Sequence, residues 1–110
     1  MKFNYLIIII PILLYSQNPS RVSGRVVDIK SNEGLAGVNI FIKGTYYGAA
    51  TDVDGYYSIS QINPGIYDIE ASIIGYKVVL QTGIKLEPSQ SITLDFTMEE
   101  TVLTIGEEVV

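Results

Sequence analysis

Apolar and polar residues alternate in steps of two along most of this chain, which is the pattern of strands with one buried face. The clearest example runs over residues 66–74, where Ile69 and Ala71 alternate with Asp68 and Glu70. No window of useful length shows the 3.6-residue period of an amphipathic helix. The pattern therefore predicts an all-β protein.

Turn residues divide this pattern into short segments. Clusters of Gly, Pro, Asn and Asp recur about every 8–12 residues, which is the spacing typical of a β-sandwich. The predicted strands cover residues 22–29, 36–43, 45–51, 56–61, 66–74, 77–86 and 91–98. Because each strand has one apolar and one polar face, we expect antiparallel pairing. The prediction is a seven-stranded antiparallel β-sandwich.

Two positions within these strands differ from their neighbours. Phe41 lies between Ile40 and Ile42, which are predicted to face the core, so its own side chain is predicted to face outward. Gly83 interrupts an extended segment, and such a glycine indicates a bulge or a close approach by another backbone segment.

The stretch over residues 51–57 carries the strongest turn signal in the chain. Asp54 and Gly55 form a dipeptide favoured in two-residue type I′ hairpin loops, because both central residues of that turn have positive φ. We therefore expect a hairpin in which Val53 pairs with Tyr56.

The predicted register gives each remaining residue of this stretch a position. Alternation places Ala50 and Tyr57 on the core face and Thr51 on the opposite face. The Asp52 carboxylate stands where it can accept hydrogen bonds from the amides of the following loop, as in an Asx-type cap. The predicted structural motif consists of Thr51, Asp52, Asp54, Gly55 and Tyr57.

The same stretch resembles the opening of a calcium-binding loop, because two carboxylates precede a glycine. Such a loop takes oxygen ligands from positions 1, 3, 5, 7, 9 and 12, with a glutamate last. Counting from Asp52, position 5 is Tyr56 and position 12 is Asn63. The later ligands are missing, so we predict a capped hairpin and no metal site.

The start of the chain has the pattern of a secretory signal. Lys2 precedes an apolar block over residues 5–14, and Ser16 is a small residue at the position where cleavage would follow. The block is short for a hydrocarbon core of about 30 Å. The alternative is an uncleaved anchor. We expect residues 1–16 to be a signal peptide and residues 17–21 a short leader, so the protein is predicted to be exported.

Composition narrows the classes of function. The chain has no Cys and no His, which excludes thiol nucleophiles, histidine-dependent triads and ordinary zinc sites. The formal net charge is −5, and no basic, aromatic-interleaved patch of the kind that binds nucleic acid is present. The acidic excess lies in the tail over residues 99–110, which contains Glu99, Glu100, Glu107 and Glu108.

Two carboxylate pairs are candidate catalytic groups, since glycoside hydrolysis uses two such residues across a cleft. Asp52 with Asp54 lies in a predicted turn, and Asp68 with Glu70 lies on an outward strand face. Nothing in the sequence places either pair across a cleft. We therefore predict no catalytic residue, no cofactor and no enzymatic activity for this chain alone.

Three tyrosines are candidates for a binding surface. Tyr46, Tyr47 and Tyr56 are predicted to be exposed near one end of the sandwich, where aromatic rings stack on sugars or contact protein partners. The alternative is that they form cross-strand pairs that only stabilise the sheet.

Several short motifs, taken in order, resemble a known family. They are Gly24-Arg25-Val26-Val27-Asp28, Gly34-Leu35-Ala36-Gly37-Val38-Asn39-Ile40, Gly44-Thr45, Gly48, Thr51-Asp52-Val53-Asp54-Gly55-Tyr56-Tyr57, Pro64-Gly65-Ile66-Tyr67 and Gly75-Tyr76. Residues 22–98 resemble a carboxypeptidase regulatory-like domain, and the resemblance implies a transthyretin-like sandwich of seven strands. The chain departs from the family's pattern at Ala36, where a Pro or a Leu-x-Gly lead-in is common, and this affects only the loop.

The resemblance also implies a function. In bacteria, such domains commonly follow a signal peptide at the front of TonB-dependent outer-membrane receptors. The implied protein is therefore a periplasmic, non-catalytic domain associated with the outer membrane. Its implied partners are proteins: the plug and barrel of the same receptor, and a TonB-type energiser. Because the chain ends where a plug would begin, we expect a fragment or a truncated gene product.

The tail over residues 99–110 is similar to the segment that leads into the TonB-contacting box of those receptors. Its acidic, β-branched composition suits addition as an edge strand to a partner sheet, and the alternative is a disordered terminus. The residues implied to contact the energiser are Glu107, Glu108, Val109 and Val110.

Two other functions remain open at this point. The first is a carbohydrate-binding module that uses Tyr46, Tyr47 and Tyr56, with a glycan as its partner. The second is an accessory domain of a secreted peptidase. No nucleic-acid partner is expected.

Overall fold

The computed structural model describes residue 4 and residues 18–102. The predicted signal peptide, residue 4 excepted, and the tail residues 103–110 lie outside the described residues. The described residues form strands and connections only. The strands are β1 (Ser20–Asp28), β2 (Asn39–Ile42), β3 (Gly48–Ala50), β4 (Tyr56–Ile62), β5 (Gly65–Ser72), β6 (Val79–Leu86), β7 (Ser91–Thr93) and β8 (Phe96–Met98).

These strands form two sheets, and the predicted all-β sandwich is confirmed. The first sheet has the order β4-β1-β7, with β8 also paired to β1, and the second has the order β3-β2-β5-β6. Alternate side chains of both sheets point into one core. The buried apolar residues are Val22, Val26, Val38, Ile40, Ile42, Tyr57, Ile59, Ile62, Ile69, Ala71, Leu86, Phe96 and Met98. Burying each larger aliphatic side chain contributes about 1.5–3 kcal/mol.

The segment predicted as one strand over residues 91–98 forms two strands, so the described residues contain eight strands instead of seven. β7 and β8 keep the same register against β1, and Leu94 and Asp95 separate them. The Asp95 carboxylate accepts a hydrogen bond from the Arg25 backbone N–H at 2.8 Å. A Cβ at Gly24 would overlap the Leu94 carbonyl. The pairing of residues 91–98 with β1 is therefore interrupted at Leu94 and Asp95, where the backbones approach closely and the Asp95 side chain accepts the hydrogen bond.

β7 and β8 run parallel to β1, whereas antiparallel pairing was expected throughout. The other strand pairs of the described region are antiparallel. A parallel partner needs a crossover connection, and here β2 to β6 lie between β1 and β7 in the sequence. The first strand of the domain therefore pairs with its last strands.

The Asp54-Gly55 turn is a corner between the two sheets, because β3 belongs to the second sheet and β4 to the first. The Asp52 N–H donates to the Tyr56 carbonyl at 2.8 Å, and the Gly55 N–H donates to the Asp52 carbonyl at 2.9 Å. The loop therefore has three residues, Val53-Asp54-Gly55, of which Gly55 alone has a positive φ of 90°. The predicted two-residue type I′ loop is wrong.

The longer loop changes which side chains face the core. Thr51 was predicted to face outward and is 6% exposed, whereas Ala50 was predicted to face inward and is exposed. Tyr57 is buried, as predicted. A shift of one residue moves every side chain of a strand to the other face. β3 and β4 are not paired with each other. The inward face of β3 therefore depends on its pairing with β2, and that of β4 on its pairing with β1.

The corner packs against the β1–β2 connection at backbone distance. The Val26 N–H donates to the Gly55 carbonyl at 2.9 Å, and the Leu35 N–H donates to the Val26 carbonyl at 2.9 Å. A Cβ at Gly34 would overlap the Asp54 carbonyl, and a Cβ at Gly55 would lie 2.9 Å from the Cα of Gly34. No side chain therefore fits between the corner and this connection.

Two predicted details of the strands are confirmed. Gly83 has a positive φ of 67°, the β5–β6 register shifts beside it, and its N–H donates to the Asp68 carboxylate at 3.1 Å. Phe41 faces outward and is 42% exposed. Part of the predicted leader also joins the sheet, because β1 begins at Ser20, whose buried hydroxyl donates to the Glu87 carbonyl.

We expect Gly55→Ala to lower the free energy of unfolding by about 2–4 kcal/mol. An alanine there adopts positive φ, which costs about 1–2 kcal/mol, and its Cβ overlaps neighbouring backbone, which costs about 1–3 kcal/mol more. Gly37→Ala is the matched control, because Gly37 has a φ of 74° and open space around the added Cβ. Urea unfolding measures the loss of unfolding free energy in each variant. Equal losses in Gly55→Ala and Gly37→Ala would contradict the packing described for the corner.

Candidate functional site

Asp52 caps the corner. Its Oδ1 accepts hydrogen bonds from the backbone N–H groups of Asp54 at 3.0 Å and of Tyr56 at 2.9 Å. This is the arrangement of an Asx-type cap, and it directs one carboxylate oxygen toward the loop itself. Asp54 is exposed, and its carbonyl accepts a hydrogen bond from Nε of Arg25 at 2.9 Å.

Thr51 joins the corner to the β1–β2 connection from inside. Its buried hydroxyl accepts a hydrogen bond from the Val38 N–H at 2.8 Å and donates to the Leu35 carbonyl at 2.5 Å. The sequence pattern placed Thr51 on the outer face and therefore missed these bonds. A buried side chain that satisfies two backbone groups at once is a structural residue.

Tyr57 connects β4 to the break between β7 and β8. Its ring lies 6.2 Å from that of Phe96, between centroids, and its hydroxyl donates to the Leu94 carbonyl at 2.5 Å. Burial, with the charge of Asp95 as a smaller cause, raises the pKa of the Tyr57 hydroxyl. The hydroxyl therefore stays protonated and serves as a hydrogen-bond donor in the core.

The outer face of the first sheet carries polar side chains and one aromatic ring. Arg25 of β1 stands opposite Tyr56 of β4, and Ser23 stands opposite Ser58. The guanidinium carbon of Arg25 lies 5.3 Å from the centroid of the Tyr56 ring, which is cation–π geometry. Nε of Arg21 donates to the Ser58 hydroxyl at 2.9 Å.

Two adjoining grooves lie on this face, one of about 380 Å³ and one of about 350 Å³. They share Ser23, Tyr56 and Tyr57, so together they border one stretch of this face. We call it the β1–β4 trough, and its polar and aromatic lining includes Arg21, Ser23, Arg25, Asp52, Tyr56 and Asp95.

The structure does not bring the three candidate tyrosines together. Tyr46 and Tyr47 precede β3, whereas Tyr56 follows the corner after β3, so they lie toward opposite ends of that strand. Tyr46 is fully exposed, Tyr47 is half-buried against the core, and Tyr56 is 54% exposed. Of the three, Tyr56 borders the trough. Tyr56 is therefore separated from the other two candidates by β3.

The first residues of the predicted tail are bonded to the bend between β5 and β6. The Lys77 N–H donates to the Glu99 carbonyl at 2.8 Å, and the Thr101 N–H donates to the Gly75 carbonyl at 2.8 Å. Nζ of Lys77 also lies 3.5 Å from Oε1 of Glu99. The implied contact residues Glu107, Glu108, Val109 and Val110 lie outside the described residues.

A buried carboxylate links the same bend to the end of β1. Oδ2 of Asp28 accepts a hydrogen bond from the Tyr76 hydroxyl at 2.7 Å, and Oδ1 accepts from the N–H groups of Lys30 and Ser31. The bond from the Ser31 N–H, followed by those from Tyr76 and Lys30, lowers the pKa of Asp28. The bond to Asp28, together with burial, raises the pKa of Tyr76 to about 12.

Sequence reasoning missed this Asp28–Tyr76 pair. Asp28 precedes a turn cluster, and this is a local signal from which a cap on the N–H groups of Lys30 and Ser31 could have been predicted. No local signal points from Asp28 to Tyr76, because the two lie far apart in sequence and on different elements. The pair anchors the bend that holds residues 99–101.

Within residues 18–102, no group of three or more acidic side chains is placed to hold a metal ion. Asp52 and Asp54 of the calcium-like stretch therefore have no third carboxylate beside them in this region. Among the described residues, no helix is long and apolar enough to cross a membrane.

Comparison with protein families gives one match that covers most of the chain. The family model described as CarboxypepD_reg-like domain matches residues 22–110. Comparison with curated proteins gives no match.

Solved structures with a similar fold come from several kinds of protein. A chain of a type II cohesin–X–dockerin complex from Acetivibrio cellulolyticus is 22% identical with a TM-score of 0.66, and the match covers 79% of this chain and 62% of that one. A putative carbohydrate binding protein from Bacteroides uniformis is 14% identical with a TM-score of 0.56, covering 72% and 40%. The minor pilin GBS52 from Streptococcus agalactiae is 16% identical with a TM-score of 0.57, covering 78% and 46%.

These likenesses show the fold alone, because the identities are low. The chain spans about three fifths or less of the length of these three structures. Their activities and partners therefore belong to those proteins.

We expect Thr51→Val to lower the free energy of unfolding by about 2–3 kcal/mol, because it leaves the buried Val38 N–H and the Leu35 carbonyl without this partner. Thr51→Ser keeps the hydroxyl and is expected to cost about 1 kcal/mol for the lost methyl group. Urea unfolding distinguishes the two variants. A serine variant that is less stable than the valine variant would contradict the assigned role of the hydroxyl.

We expect Tyr76→Phe to destabilise the domain at neutral pH and to have less effect at high pH. The pKa of Tyr76 is raised from 10.0 to about 12 in the folded protein. Its contribution to stability is therefore full below pH 10 and is lost as the pH rises toward about 12. Urea unfolding of wild type and variant between pH 7 and pH 12 measures both free energies of unfolding. We expect the difference between them to become smaller as the pH rises.

Tyr46→Phe is the control for this pH series, because Tyr46 is fully exposed. The free energy of unfolding of Tyr46→Phe should be close to that of wild type at every pH. A difference between wild type and Tyr76→Phe that stays constant up to pH 12 would contradict the hydrogen bond to Asp28 as its cause.

Proposed function

Because the chain belongs to the family of CarboxypepD_reg-like domains, we propose that it is a non-catalytic accessory domain that works through protein–protein contact. The observation that carries this proposal is the attachment of residues 99–101 to the bend between β5 and β6. The domain thereby holds the start of its tail at a defined point on its surface. A folded unit that presents an extended segment is suited to recognition by a partner sheet.

We further propose that the domain is exported and forms the periplasmic N-terminal extension of a TonB-dependent outer-membrane receptor. The apolar start of the chain, the order of its motifs and the composition of its tail support this context. In this proposal the plug and barrel of the receptor perform nutrient uptake. The domain presents the tail, and a TonB-type energiser binds it.

The strand pairing fits such a role. β8 is paired lengthwise with β1, and residues 99–101 continue from β8 onto the Gly75–Lys77 bend. A force applied to the tail therefore acts along several hydrogen bonds at once. Asp28 and Tyr76 join the same bend to the end of β1, which spreads the load into the first sheet.

The first test is the binding of the periplasmic domain of a TonB-type energiser to the full chain and to a chain that ends at residue 102. We expect the full chain to bind and the truncated chain to bind at least tenfold more weakly, because the tail supplies the edge strand. Glu107→Lys with Glu108→Lys is expected to weaken binding, and Glu33→Lys, an exposed change in the β1–β2 connection, is the control.

Equal binding by the full and truncated chains would contradict the role of the tail, as would no binding by either. The receptor context is tested separately by sequencing the gene beyond Val110. A downstream sequence that encodes no plug and no barrel would contradict it.

A further inference from the structure

The β1–β4 trough contains one accessible aromatic ring in a defined position. Tyr56 is 54% exposed, and the guanidinium of Arg25 lies over one face of its ring. Nε of Arg25 is bonded to the Asp54 carbonyl, which fixes this arrangement. The Tyr56 N–H is in turn bonded to Asp52. A ring that is already oriented loses little conformational entropy when a flat ligand stacks on it.

The charged groups around this ring balance one another. Arg21 and Arg25 contribute two positive charges, and Asp52 and Asp95 contribute two negative charges. The trough therefore favours neither an anionic nor a cationic ligand. It offers both donors and acceptors, which is what a neutral ligand rich in hydroxyl groups requires.

The arginines keep donors available to a ligand. A guanidinium carries five N–H donors, and the bonds of Arg21 to Ser58 and of Arg25 to Asp54 both use Nε. These bonds fix the direction of each side chain. The Ser23 hydroxyl, which lies between the two arginines on β1, adds a group that both donates and accepts.

The trough is longer than one sugar ring. Arg21 and Arg25 are four positions apart on β1, which corresponds to about 13 Å along a strand. The two grooves, of about 380 Å³ and about 350 Å³, lie side by side and are open to solvent. Open grooves of this combined length accommodate several linked sugar rings of an oligosaccharide.

We propose that the β1–β4 trough binds a short neutral oligosaccharide. One pyranose ring stacks on the face of Tyr56 that Arg25 does not cover, and hydroxyl groups along the oligosaccharide are bonded by Arg21, Ser23 and Asp95. This site differs from a platform of Tyr46, Tyr47 and Tyr56, because it contains Tyr56 alone of the three. It lies on the outer face of the first sheet, with Ala49 and Ala50 of β3 at one side, and residues 99–102 are not among its lining. The inference goes beyond the proposed accessory function and does not rest on it.

The test is a calorimetric titration of the full chain with maltohexaose, xylohexaose, mannohexaose and laminarihexaose. We expect at least one of these four neutral sugars to bind. Tyr56→Ala should weaken that binding about tenfold, which corresponds to a stacking contribution of about 1.4 kcal/mol. Tyr56→Phe keeps the ring and should bind within about twofold of wild type.

Tyr46→Ala is the matched control, since it removes an exposed tyrosine that does not border the trough. It should bind like wild type, as should the chain that ends at residue 102. Urea unfolding of each variant checks that it remains folded.

Three results would overturn the proposal. They are no binding by any of the four sugars, equal binding by folded Tyr56→Ala and wild type, and tighter binding of hexagalacturonate than of every neutral probe. The last result would show an anion site. Because sugar binding uses Tyr56 and energiser binding uses the tail, a failure of one leaves the other test intact.

Discussion

The contact between the 52–55 corner and the β1–β2 connection is the constraint on which the two sheets depend. Gly34 and Gly55 approach so closely that neither position has room for a Cβ. The hydrogen bond from Val26 to Gly55 fixes the corner against the central strand of the first sheet. Since the chain passes from the second sheet to the first at this corner, the contact also sets how β3 and β4 lie over one another.

The same contact positions the outer face of the first sheet. The corner ends at Tyr56, and the cap by Asp52 holds the backbone from which that ring projects. Arg25 reaches from β1 to the corner carbonyl of Asp54 and so lies beside the ring. Residues that the sequence suggested for a turn therefore shape a surface, although no group among them acts as a catalyst in our proposal.

The first residues of the tail are attached at a different place, and this separation bears on the two functions that we propose. Residues 99–101 bond to the bend at Gly75–Lys77, whereas the trough lies between β1 and β4 on the outer face of the first sheet. Asp28 and Tyr76 connect the bend to the end of β1 inside the domain. In our two proposals, the protein partner and the sugar ligand therefore bind different residues.

Alternation and turn residues are local properties of the sequence, so they were sufficient to predict the strands and most of their inward faces, and the order of short motifs was sufficient to indicate the family. Which strands pair is visible only in the folded domain. There, β3 and β4 belong to different sheets, and β1 pairs with β7 and β8. Tyr46 and Tyr56 lie on opposite sides of β3 along the chain. Partner choice depends on contacts between distant segments, such as that of Gly34 with the corner, and no local pattern records them. A one-residue difference in loop length was then sufficient to turn Thr51 inward.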